Sequence, residues 1–191
     1  MKTRQIHLVL LVISLSLFIA CKALPKEETL VKETYGIINT ILNDYKNPNK
    51  PYVIIEETVG LAMEDFNSHM NGQKVLNDEG YNSDPCAMSY IEGKVKLNKT
   101  TFRLKTWDKS KITYNEVSYI SREKLGKNIS MKEAYELMGK QIFSFSNPIY
   151  DKRIINAVIL VDISREGQIL HFLQKEKGDW NIICRYYTIH Y

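Results

Sequence analysis

The chain has 191 residues, with 26 Lys and Arg against 22 Asp and Glu, giving a formal charge of +4 at pH 7. Two of the basic residues, Lys2 and Arg4, sit at the extreme N-terminus; without them 24 basic residues face 22 acidic ones. So even a balance, with basic residues scattered along the chain, argues against nucleic acid and strongly acidic partners, and the length fits one domain around one core.

In chain order, Lys2 and Arg4 precede an apolar run from Ile6 to Ala20, with His7 at its edge and only Ser14 and Ser16 interrupting it. At about 15 residues the run is shorter than the ~20 that a spanning helix needs. A basic start followed by a short apolar run is the layout of a secretory signal. Phe18-Ile19-Ala20-Cys21 then resembles the lipobox of bacterial lipoprotein signal peptides. That resemblance implies removal of residues 1–20, diacylglycerol on the Cys21 thiol, palmitate-type acylation of its amino group and a lipid-anchored place in the cell envelope. The expected address is the outer membrane, with the periplasmic and surface faces both open. A second cleavage reading places the cut after Ala23, with Cys21 and Ala23 at the flanking subsites, and gives a secreted protein without lipid.

Residues 21–28 read as the lipidated cysteine and a short tether. Within it Lys26-Glu27-Glu28 resembles the export signal of surface-exposed lipoproteins of Bacteroidota; the same residues also suit the first turn of a helix, where acidic groups oppose the macrodipole. With Cys21 assigned to lipid, Cys86 and Cys184 remain as an even pair in an oxidising compartment, where a disulfide is allowed. A buried free thiol at Cys184 is the alternative, because it alternates with Trp180, Ile182 and Tyr186 along one strand.

Residues 29–191 read as a single α+β domain. Leu30, Val31, Tyr35, Ile37, Ile38, Ile41 and Leu42 recur at helical spacing, predicting an amphipathic helix from Glu27 to Tyr45. Tyr52-Val53-Ile54-Ile55 opens a strand to Thr58 or Val59, residues 60–70 fit helix or strand, and residues 71–85 read as a long polar loop. Strands are expected at Ser89–Leu97, Thr101–Trp107 and Ile112–Ile120, arranged as a meander. Ser130-Met131-Lys132-Glu133 predicts a capping box and a helix to about Gln141. Asn147-Pro148 disfavours a central strand at Phe143–Phe145. Ile154–Ile163, Gln168–Gln174 and Trp180–Ile189 form a C-terminal three-stranded antiparallel meander.

The fold expected is therefore α+β, a mainly antiparallel sheet with N-terminal and central helices. The helix-then-meander ending resembles cone-like folds of the nuclear transport factor 2 type, kept as the alternative, and the closing segments of Bacteroidota envelope lipoproteins.

No reaction is specified by the residues. His69, His171 and His190 lack metal-ligand spacing, so no metal and no cofactor is expected; Asp65 and His69 read as a surface pair. Cys86, beside Asp84, has no neighbouring cation to lower its thiol pKa. Glu56 and Glu57 point to opposite faces of a strand and cannot serve one site. Trp180 reads as core, and Asn181, Arg185 and Tyr187 as the polar-aromatic face of the last strand. A small ligand is first sought near Asp84, Pro85 and Cys86. The reading is a lipid-anchored binding or interaction module with no catalytic residues assigned; the alternative is an envelope hydrolase with a site assembled from scattered residues.

Overall fold

The computed structural model describes residues 27–46, 51–60, 66–68, 70, 97, 102–126 and 128–189. It divides into two units, Met1–Val31 and Lys32–Tyr191. Helix α1 (Glu27–Asp44) opens in the first unit, with Glu27 and Glu28 in its first turn, and continues in the second. The signal segment, Cys21, the tether to Lys26, Asp65, His69, the loop at 71–85, Cys86 and His190 lie outside the described residues.

In the larger unit a seven-stranded mixed sheet holds the core. Its strands are β1 (Tyr52–Ile55), β2 (Val117–Ile120), β3 (Gln141–Phe145), β4 (Ile149–Tyr150), β5 (Asn156–Ile163), β6 (Gly167–Glu176) and β7 (Asp179–Ile189). They run in the order β2-β1-β3-β5-β6-β7, with β4 also on β5. The expected C-terminal meander is present, β5, β6 and β7 pairing antiparallel in turn. The other half is parallel: β1 pairs with both β2 and β3 in the same direction.

This parallel half corrects the expected meander over the described residues 102–120. Among the described residues 102–107 of the Thr101–Trp107 run, only Thr106 forms a bridge, to Glu57. The Leu104 backbone is instead clamped by the side-chain amide of Asn147, which accepts from its N–H at 2.8 Å and donates to its carbonyl at 2.9 Å. The Asn39 amide does the same between Lys111 and Thr113, donating to the Lys111 carbonyl at 3.1 Å and accepting from the Thr113 N–H at 2.9 Å. Each side chain takes up backbone groups that a strand would give to its ladder, so strand structure within 112–120 is confined to Val117–Ile120. Of the 89–97 run only Leu97 is described, in a bridge to Asp151.

A second correction concerns β3, which is a central strand between β1 and β5. Pro148 does not prevent this, because the strand ends at Phe145 and the proline falls in the break before β4.

Opposite faces of the sheet receive different helices. Val53, Ile55 and Ile142 pack with Leu125 of α2 (Arg122–Leu125) and with Met131 and Ala134 of α3 (Met131–Met138). The capping box is formed: Ser130 Oγ accepts from the Glu133 N–H at 3.2 Å, and Glu133 accepts from the Ser130 N–H at 2.9 Å. On the other face Tyr45, at the end of α1, meets Phe143 edge-on, and Thr34 bonds the Tyr150 hydroxyl at 2.9 Å.

A bulge in β7 overturns the expected single face of Trp180, Ile182, Cys184 and Tyr186. Leu173 pairs with Ile182 and Phe172 with Cys184, leaving Ile183 without a partner in the ladder. One extra residue reverses the alternation beyond it. Trp180 therefore faces α1, where its indole donates to Glu33, while Cys184 and Tyr186 pack on the opposite side with Phe66, Val158 and Phe172. The same reversal brings Arg185 round to α1, away from the face of Asn181 with which it was expected.

Candidate functional site

Where β1 and β3 begin and β5 turns into β6, the larger unit opens a cleft of about 610 Å³. The β5–β6 turn is fastened to β3 from below: Ser164 Oγ accepts from the Ile142 N–H at 2.8 Å, and the Ser164 N–H donates to the Ile142 carbonyl at 3.0 Å. Within the turn Arg165 has φ 70° and Gly167 φ 110°, while the Glu166 N–H closes on the Ile163 carbonyl at 3.0 Å. Arg165 is thus held in the left-handed region that non-glycine residues seldom occupy.

The opposite wall comes from α3. Gly139, with φ 62°, ends the helix and returns its N–H to the Tyr135 carbonyl at 2.8 Å, which sends the chain into β3. Tyr135 consequently stands opposite the turn, and the Arg165 guanidinium lies 4.9 Å from its ring centroid. Gln141 opens β3 and donates its amide to Glu166 Oε1 at 2.7 Å. Tyr45 and Pro51 complete the far side. A second groove of about 460 Å³, lined by Lys132 and Glu136, shares Tyr135 and Arg165 with the first.

Burial raises the Glu166 pKa above the ordinary carboxylate value, with the Gln141 hydrogen bond and the charge of Arg185 opposing it. Tyr45 is raised above the usual phenol value, first by burial and then by Glu166. Behind Tyr45 lies His171, fully buried, its Nε2 3.4 Å from the Tyr45 hydroxyl and its Nδ1 3.3 Å from the Ile169 carbonyl. Burial, with Arg185 nearby, pushes its pKa down to about 3, so the imidazole is neutral at physiological pH. Arg185 pairs with Asp44 and lies 5.4 Å from the Tyr45 ring centroid. The histidine and arginine therefore brace one wall of the cleft.

Of the residues singled out from sequence, Glu56 pairs with Lys109 at 2.8 Å, and Glu57 accepts from the Arg122 N–H at 2.7 Å at the start of α2. They do not converge on a site. Trp180 is buried, as expected of core. Cys184 is half-buried and disulfide-bonded, with its partner outside the described residues. Among the described residues no group of three or more His, Cys, Asp and Glu is placed to hold a metal ion, and no helix is long and apolar enough to cross a membrane.

Tyr45, Gln141, Arg165 and Glu166 were not singled out as a site by their sequence pattern. Ser164-Arg165-Glu166-Gly167 reads only as a turn; a charged residue at a left-handed position is the one local signal it carries. No protein-family model, curated protein or solved structure matches the chain.

Proposed function

We propose that the protein is a lipid-anchored component of the bacterial cell envelope whose folded body is a binding module. The observation that carries the anchor is Phe18-Ile19-Ala20-Cys21 at the end of a short apolar run. Two or three acyl chains on Cys21 hold a protein at a bilayer far more durably than one, since each buried methylene contributes about 0.8 kcal/mol. The disulfide at Cys184 adds a constraint, because only Cys21 and Cys86 are available to pair with it and an alkylated Cys21 has no thiol to give. The proposed arrangement is thus lipid on Cys21 and a Cys86–Cys184 bridge.

Binding rather than turnover is supported by how the cleft's groups are engaged. Glu166 is held by Gln141, and the neutral His171 is sequestered behind the Tyr45 ring. A cleft of this size, with Gln141 joined to Glu166 and Arg165 set against Tyr135, suits a polar ligand.

Labelling of expressing cells with a tagged fatty acid tests the anchor. The wild-type chain should take up label, fractionate with membranes and begin at Cys21 by intact mass, whereas Cys21→Ala should do none of these. An unlabelled mature chain beginning after Ala23, or a Cys21–Cys184 bridge, would overturn the reading.

A further inference from the structure

We propose that the cleft and its neighbouring groove form one binding site for an acidic saccharide, an oligosaccharide bearing carboxylates, with Arg165 between its two compartments. The inference rests on reading the body as a binding module, but not on the anchor.

Charge points to an anionic ligand. Lys132, Lys140 and Arg165 reach the two grooves from α3, the start of β3 and the β5–β6 turn. Together they set three cations against the two carboxylates, Glu136 and Glu166, that line the same grooves. Stacking on Tyr135 holds the Arg165 guanidinium in place, and a fixed planar fork of donors matches a carboxylate bidentately.

The remaining lining favours a sugar over a peptide. Gln141 and Glu166 set an amide and a carboxylate side by side, a combination able to donate to and accept from hydroxyl groups. Tyr45, Tyr135, Pro51 and Met138 also line the cleft; Arg185 lies over the Tyr45 ring and Arg165 over the Tyr135 ring, and the apolar face of a sugar packs on the surface these leave open. One common way for an extended peptide to bind is to add a strand to an open sheet edge. Here β3 is already paired on both sides, and the Ile142 backbone is taken up by Ser164.

The experiment is a calorimetric titration of the full-length protein in detergent with three probes: a trisaccharide of galacturonic acid, the same trisaccharide built from galactose, and triglutamate. The acidic sugar should bind at least about tenfold more tightly than either other probe, as expected where charge-assisted hydrogen bonds are lost. Arg165→Asn, which suits a left-handed backbone, should weaken it about tenfold, Lys140→Gln should weaken it less, and Lys124→Gln on α2 should leave it unchanged; circular dichroism confirms that each variant is folded. No binding of the acidic sugar, equal binding of the galactose probe or triglutamate, or indifference to Arg165→Asn in a folded protein would overturn the proposal. A chain that binds the sugar without lipid on Cys21 would refute the anchor alone, and a lipidated chain that binds none would refute this site alone.

Discussion

Trp180 donates its indole N–H to Glu33 Oε2 at 2.8 Å, and Lys175 reaches the other oxygen of the same carboxylate at 2.6 Å. One acidic residue of α1 therefore fastens the helix to both strands of the β6–β7 hairpin. Its side chain is only 10% exposed, so Glu33→Ala would leave two donors in low dielectric without their acceptor. The expected loss is about 2–3 kcal/mol, read from urea denaturation. Glu33→Gln, which keeps an acceptor oxygen, should lose less. Gly36, one turn on, adds to the fit: a Cβ there would stand 3.2 Å from Trp180 Cδ1.

His171 makes stability depend on acid. Its folded pKa of about 3 lies below the ordinary histidine value of 6.5, so between those pH values the unfolded chain binds a proton that the folded one refuses. Stability should fall as pH drops through that window and be unaffected by this group above it. Denaturation midpoints at pH 7 and pH 4.5 should differ more in the wild type than in His171→Gln. Equal pH dependence in the two proteins would show that the imidazole titrates freely.

Glu166 has the opposite sign. A carboxyl whose pKa is raised by folding favours the folded state while protonated, and that advantage is lost as pH rises from the unfolded value through the folded one. Glu166→Gln keeps an oxygen for the Gln141 amide and removes the desolvated charge. The variant should melt higher than the wild type at pH 8, and the difference should vanish near pH 4.

A Cys86–Cys184 bridge would close a loop of roughly 100 residues, for which chain entropy gives about 4–5 kcal/mol. Cys184→Ser should therefore cost several kcal/mol in chemical denaturation, and the Cys86→Ser, Cys184→Ser double variant should be little worse than either single variant, since all three lack the same bond. Additive losses, or a non-reduced peptide map without the 86–184 link, would reject the pairing.

The parts of the fold legible in sequence are those whose signal is local. The spacing of Ile37, Ile38, Ile41 and Leu42 marks α1, Ser130 and Glu133 mark the start of α3, and the turns around Gly167 and Gly178 delimit the three closing strands. The misread segments depend on distant partners. Thr101–Trp107 and Ile112–Asn115 have strand composition, yet Asn147 and Asn39 take backbone groups from them, and neither amide's target can be read from its neighbours. Ile183 is likewise an ordinary β-branched strand residue until its lack of a partner on β6 turns Cys184 away from Trp180. The candidate site was illegible for the same reason: Tyr45, Gln141 and Arg165 come from three separate segments that meet only when β3 enters the middle of the sheet.

The division of the sheet into a parallel and an antiparallel half also sets an order of assembly. β5, β6 and β7 are neighbours in sequence, joined by short turns, so their pairing closes small loops. Tyr52 of β1 pairs with Val117 and Gln141, so the parallel half closes long loops and carries the slower, higher-contact-order step. The meander is accordingly the part able to form first, and β3 joins the two halves by pairing with β1 on one side and β5 on the other. A truncation from the C-terminus would remove the rapidly formed half and leave β3 with a bare flank, so the loss of a few terminal strands should block folding rather than merely trim the product.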